Sequence, residues 1–179
     1  MKEELFVVKI GSVLEEKDQL DSFMHGFAQL NEKKVLVHGG GKKATTLANR
    51  LNIDSEMVNG RRITDHNMLE VATMVYAGLI NKNLVASLQS HNCNAIGLSG
   101  ADANLIVADR RPPVGGIDFG WVGDVKSVND ELINSLMQMD LTPVVCAITH
   151  DNAGHLLNTN ADTIASETAT ALRAAYSVH

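Results

Sequence analysis

The sequence predicts an α/β domain of parallel strands joined by helices, with a β-rich excursion in its middle third. Three observations predict it. Short β-branched runs alternate with segments of helical periodicity. The first two runs, "ELFVVKIG" and "KKVLVHGG", end in glycine and are separated by enough chain for a right-handed helical crossover. The stretch "RRPPVGGIDFGWVGDVK" breaks the alternation with prolines, glycines and short alternations, which read as hairpins and turns.

Each element has its own signal. Between the first two strands, Leu20, Phe23, Met24, Phe27 and Leu30 recur at three and four residues and make one apolar helical face. A second helix follows the glycines with Ala44, Leu47, Ala48 and Leu51 on one side. "TDHNMLEVATMVYAGLINKNLVASLQSHN" reads as one long helix with Thr64 as its N-cap. "CNAIGLSG" and "NLIVADR" are strands, "NDELINSLMQM" a helix and "TPVVCAIT" a buried strand. "HDNAGHLLNTNAD" predicts a hairpin turning near Asn152–Gly154, and "ADTIASETATALRAAY" an alanine-rich closing helix. Alternation calls for a strand after that helix, so the domain either ends on a helix or is the front part of a longer protein. Residues 1–179 are expected to form a single domain.

Composition narrows the functions. The chain has 179 residues, 45% hydrophobic, enough for a sizeable core, and only 4% aromatic, so that core must be aliphatic. A net charge of −6 excludes a general nucleic-acid binder, which needs a basic stripe to displace counterions. An anionic ligand must therefore be held locally by a few donors. Cys93 and Cys146 make neither a disulfide framework nor a metal set and are expected to be reduced core thiols. No signal-peptide core and no continuous apolar run of membrane-spanning length is evident, so a soluble cytoplasmic chain is expected. The seven histidines form no convincing metal set, and His38 is expected to order its turn rather than to catalyse.

Four places are able to carry chemistry. Gly39, Gly40 and Gly41 lie between a strand and a helix, where bare N–H groups and the helix's positive end make an anion site. A tight turn is the simpler alternative, although three glycines exceed what a turn needs. Gly39, Gly41 and Ala44 also spell the relaxed dinucleotide fingerprint, but the acidic residue it requires does not follow a convincing strand. Lys9, at the carboxyl end of the first strand, must find an anion or reach water. Arg61 and Arg62, just before the long helix, either clamp a carboxylate in two-pronged fashion or form a solvated pair. Asn158 and Asn160 project to one face of an extended segment, and Asp162 follows at a helix start. They either read a small polar ligand or serve as helix caps.

Taken together, "KIGS", "VHGGGK", "NGRRIT", "GLSGADAN", "WVGDVKSVN" and "LNTNADTIA" resemble the amino-acid kinase family, and within it the acetylglutamate kinases. The motifs run in the family's order over essentially the whole chain. The resemblance implies a three-layer α/β/α sandwich. It also implies ATP-dependent phosphorylation of the side-chain carboxylate of N-acetyl-L-glutamate in arginine biosynthesis, with Mg²⁺ carried on ATP and no protein metal site. A homodimer built around the long helix after Thr64 is implied as well. By the same resemblance, Lys9 stabilises the transferring phosphoryl group, and Asp162 organises the catalytic lysines. Gly11, Ser12 and the glycines Gly39 to Gly41 offer N–H donors to phosphate and substrate. Arg62 and Asn158 hold the α-carboxylate, and Asn160 lines the site.

Two departures stand out. Ser12 replaces the second glycine of the usual K-x-G-G, keeping an N–H but adding a side chain. The family's C-terminal nucleotide-binding part, with a second catalytic lysine, is absent from these 179 residues, so the chain alone is expected to lack turnover. The alternatives are a non-catalytic acyl-amino-acid sensor or another member of the family, such as a carbamate kinase, aspartokinase or glutamate 5-kinase. Acetyl and succinyl acyl groups are not distinguished.

Overall fold

The computed structural model describes residues 4–54, 56–58 and 61–179. Residues 1–3 of the opening stretch, and Asn59 and Gly60 of the arginine segment, lie outside the described residues.

The chain opens with β1 (Leu5–Ile10), α1 (Lys17–Gln29), β2 (Lys33–His38) and α2 (Gly41–Arg50), the expected β-α-β-α start. A small antiparallel hairpin, β3 (Met57–Val58) with β4 (Arg61–Arg62), leads into the long helix. That helix has three parts: α3 (His66–Thr73), a π-helical stretch (Met74–Ile80) and α4 (Asn81–Ser90). Then come β5 (Ala95–Leu98), β6 (Ile106–Arg110), β7 (Val122–Val128), α5 (Asp130–Gln138), β8 (Thr142–Cys146), β9 (Ile148–His150) and β10 (Leu156–Thr159). Helix α6 (Ala161–Leu172) and β11 (Ala175–Val178) complete the order.

The main sheet has the order β11-β1-β2-β8-β5, and every pairing in it is parallel. Parallel strands need both faces covered. Here α1, α3 and α4 belong to one helix group, while α5 and α6 contact the sheet and each other as a second. The result is the expected sandwich. Its aliphatic centre includes Val7, Ile10, Val35, Leu36, Val37, Val144, Val145 and Ile164, all fully buried. Each such side chain contributes about 1.5–3 kcal/mol by leaving water.

Four features depart from the sequence expectations. Thr64 does not cap the long helix: Asp65 does, accepting a 2.7 Å bond from the Met68 N–H. Thr64 is fully buried and donates to the Arg62 carbonyl, a competing use of a short hydroxyl side chain. The last helix ends at Leu172 on a left-handed Arg173 (φ 52°), and residues 175–178 form the strand that alternation required, parallel to β1. The middle excursion closes into a four-stranded barrel, β10-β7-β6-β9, rather than isolated hairpins. Finally, the composite helix His66–Ser90 has, by length and composition alone, the mean hydropathy of a membrane span. Its Met68, Val71, Val75, Ile80, Leu84 and Leu88 are buried in the core, which accounts for that hydropathy.

Candidate active site

The carboxyl ends of β1, β2 and β10 meet the N-termini of α2 and α6 around one open cavity of about 410 Å³. Parallel α/β sheets bind ligands at this edge because helix N-termini converge there. All ten residues to which the family resemblance gives a site role line it: Lys9, Gly11, Ser12, Gly39, Gly40, Gly41, Arg62, Asn158, Asn160 and Asp162.

Lys9 lies one residue before the carboxyl end of β1, and its ammonium finds Asp162 Oδ1 at 2.9 Å in the first turn of α6. The lysine side chain is 14% exposed and the aspartate 54%, so the pair stands at the cavity wall with solvent on the carboxylate side. Asn160 caps α6, accepting from the Thr163 N–H at 3.0 Å. The capping alternative therefore holds for Asn160, whereas Asp162 is engaged with Lys9.

The three glycines are bare for different reasons. Gly40 has φ 150°, and a Cβ there would lie 2.2 Å from Ile80 Cδ1 and 3.1 Å from Tyr76 Cδ1. Only glycine lets the turn pass so close to the long helix. At Gly39 and Gly41 a Cβ would meet its nearest neighbours at 3.5 and 3.7 Å, ordinary contact. Packing does not require glycine at those two positions, and both face the cavity. The first-turn N–H groups of α2 have no intrahelical partners and carry the helix's positive end.

Gly11 differs from expectation. Its N–H donates to the His179 carbonyl at 2.7 Å, continuing the β1–β11 ladder, so this donor is committed to the sheet.

Arg62 is only 8% exposed. Its guanidinium donates to the Gly41 carbonyl at 3.0 Å and the Thr45 hydroxyl at 2.8 Å, which ties β4 to the first turn of α2. It also interacts with Tyr76, whose phenol is pushed up by burial, with the Arg62 charge and hydrogen bond working against that rise. The Asn158 carboxamide donates to Thr64 Oγ1 at 3.1 Å, and Thr64 in turn reaches the Arg62 carbonyl. Arg62 and Asn158 thus belong to one connected wall.

Some lining residues escaped the sequence reading. Arg111 and Asp124 form a two-pronged ion pair across the β6–β7 edge. Tyr76 arrives from the long helix, where its helical spacing marks it only as core. Arg111 sat in a segment read as turns, and only the barrel closure brings it to the cavity. Around the cavity Lys9, Lys42, Arg61, Arg62 and Arg111 outnumber Glu15, Asp124 and Asp162, a local positive excess in an acidic chain. Such an arrangement suits a small ligand with more than one anionic group.

The sequence model of the amino acid kinase family matches residues 4–178. The acetylglutamate kinase of Cytophaga hutchinsonii is 52% identical over 178 residues, covering 99% of this chain and 67% of the relative. That of Parabacteroides distasonis is 54% identical over 171 residues, covering 95% and 67%. The chain thus spans about two thirds of the length of these curated relatives. Among solved structures, the N-acetylglutamate synthase of Neisseria gonorrhoeae, complexed with coenzyme A and N-acetyl-glutamate, superposes with a TM-score of 0.84 at 20% identity, covering 97% of this chain and 40% of that one. Carbamate kinase of Giardia lamblia bound to AMP-PNP gives 0.61 at 14% identity, covering 99% and 70%. At such identities these two speak for the fold. The match across nearly the whole sequence settles the family: the chain belongs to the amino acid kinase family.

Proposed function

We propose that this chain carries the N-acyl-L-glutamate half of an acetylglutamate kinase, which transfers the terminal phosphoryl group of ATP to the side-chain carboxylate of N-acetyl-L-glutamate. This is an early step of arginine biosynthesis. The observation that carries the reading is the convergence of an ammonium, a guanidinium, a bare glycine turn and two carboxamides on one cavity. The identity to named acetylglutamate kinases selects this acceptor over other acceptors in the family.

The chemistry fits the residues. A carboxylate with an ordinary pKa of ~4.3 is already ionised at neutral pH, so the acceptor needs no general base. What opposes the reaction is repulsion between two anions, and what it demands is in-line placement. In this reading Arg62, with Asn158, holds the α-carboxylate beside the first turn of α2. The glycine turn and the N-terminus of α2 receive the side-chain carboxylate and the phosphoryl group, through N–H donors that need not reorganise as charge develops. Lys9 offsets charge on the transferring phosphoryl group, and Asp162 keeps its ammonium aimed. Asn160 fixes the start of α6 and so the place of Asp162. Ser12 borders the phosphate end, while Gly11 acts through the backbone path of β1.

ATP brings its Mg²⁺, which is held mainly by the phosphates with few dedicated protein ligands. Lys9, Ser12 and the glycine turn suit the phosphate end of the nucleotide. The rest of the nucleotide belongs, in this reading, to the third of the relatives' length that this chain does not match. The enzyme is a cytoplasmic homodimer in the same reading, joined through the long helix, whose Met74 and Leu79 are exposed on its outer side.

Two measurements on the 179-residue chain test the proposal. Calorimetry should show saturable binding of N-acetyl-L-glutamate without ATP, and a coupled assay should show no substrate-dependent ADP release. Absence of binding contradicts the assigned site, and ADP release contradicts the division of the enzyme into two parts.

A further inference from the structure

We propose that His38 and Asn81 are positioning residues: they fix the orientation of the Gly39–Gly40 peptide and thereby aim the Gly40 N–H into the cavity. The proposal rests on the reading of that cavity given under Proposed function.

Neither side chain lines the cavity, and both are buried, His38 at 0% and Asn81 at 1% exposure. Their hydrogen bonds admit one assignment. Asn81 Nδ2 lies 2.9 Å from the Val144 carbonyl, an acceptor only, so that atom must be the amide nitrogen. The Lys82 ammonium, a donor only, lies 3.1 Å from Asn81 Oδ1 and confirms the orientation. The same Nδ2 faces His38 Nε2 at 3.1 Å, so Nε2 accepts. His38 Nδ1 must then carry the proton, and it donates to the Gly39 carbonyl at 2.8 Å. Because the peptide is planar and trans, a Gly39 carbonyl held toward His38 points the Gly40 N–H the opposite way.

The surrounding chain is shaped for this path. Asn81 is the first residue after the π-helical stretch, which sets its direction from the helix. Gly97 on β5 is bare where the network passes: a Cβ there would lie 2.0 Å from Asn81 Oδ1 and 2.8 Å from Lys82 Nζ. Lys82 closes the path on the Gly97 carbonyl at 3.0 Å. A buried pair with every polar atom satisfied, closed at the surface by Lys82, specifies one geometry, and here its end point is the glycine turn. Burial holds the imidazole neutral, with its pKa down at about 4, so the Nδ1–H tautomer persists at neutral pH.

The test combines a spectroscopic signature with binding. Nitrogen NMR of the ¹⁵N-labelled chain at pH 7 should show His38 as the Nδ1–H tautomer. His38→Leu should weaken N-acetyl-L-glutamate binding about tenfold, the scale of one lost hydrogen bond. His38→Asn, whose carboxamide nitrogen reaches the Nδ1 position, should recover most of that loss. Asn81→Leu, which changes no cavity residue, should weaken binding and release the tautomer. An Nε2–H ring in the unaltered chain, equal loss in His38→Leu and His38→Asn, or undiminished binding in Asn81→Leu would overturn the proposal. The ring signal needs no variant to fold. If the unaltered chain fails to bind N-acetyl-L-glutamate, the reading of the site falls, whereas the tautomer still reports on the geometry by itself.

Discussion

Lys9 Nζ stands 2.9 Å from Asp162 Oδ1, joining the end of the first strand to the first turn of α6. The pair links two segments 153 positions apart in sequence, and one partner is largely shielded. Asp162→Asn removes the charge but keeps the shape. It should destabilise the chain by about 1 kcal/mol, a value held down by solvent around the carboxylate. Urea denaturation at pH 7 reads this directly, and an unchanged midpoint would show that the pair contributes no net stability.

Arg62 supplies a planar fork already seated on Gly41 and Thr45. Lysine at this position keeps the charge and loses the fork. Arg62→Lys should lower N-acetyl-L-glutamate affinity by about tenfold or more, since hydrogen bonds to charged groups are worth roughly 1.5–3 kcal/mol. Calorimetric titration of the two proteins side by side measures the ratio.

Gly40 is the position where the glycine turn touches the long helix. Gly40→Ala places a methyl group 2.2 Å from Ile80 Cδ1 at a φ of 150°. Clash and backbone strain together should cost about 2–4 kcal/mol of stability. Gly41→Ala, which meets only ordinary contact, should cost much less, about 1 kcal/mol or below, while weakening ligand binding. Thermal unfolding of both variants, paired with titration, separates the packing glycine from the cavity glycine.

His38 makes stability depend on pH. In the unfolded chain the imidazole titrates near 6.5, and in the fold burial pushes it to about 4. The Gly39 carbonyl works against that fall, and the Lys82 ammonium adds to it. Below pH 6.5 the unfolded chain takes up a proton that the fold refuses, so the contribution is full above that value, shrinks as pH falls and levels off near pH 4. The loss across the window is about 3 kcal/mol. Denaturation at a series of pH values should show this slope in the unaltered chain and a flatter one in His38→Asn.

Much of the architecture was legible because its signals are local. β1 and β2 announce themselves as short apolar runs ending in glycine, and α5 lies within the segment "NDELINSLMQM" that reads as a helix. The strand after α6 was hidden because "RAAY" continues an alanine-rich pattern, and only pairing with β1 draws it out of the helix. The barrel was illegible for the same reason: β6–β9 and β10–β7 are long-range pairings that no local periodicity encodes. At the cavity, residue types with an obvious cost, such as a lysine in a strand or three bare glycines, flagged themselves. Arg111 and Tyr76 did not, since one looks like a turn arginine and the other like core until the fold brings them together. The commitment of the Gly11 N–H to His179 likewise depends on the hidden strand.

In the proposed function one cavity holds an N-acyl-L-glutamate by its α-carboxylate at Arg62 and directs its side-chain carboxylate toward Lys9 and the glycine turn. A crystal structure of the chain with N-acetyl-L-glutamate measures this most directly. Density is expected in the cavity with the α-carboxylate within hydrogen-bond distance of Arg62 and Asn158, and the side-chain carboxylate near Gly40 and Gly41. Ligand density seated elsewhere on the molecule, or in the reverse orientation, would contradict it.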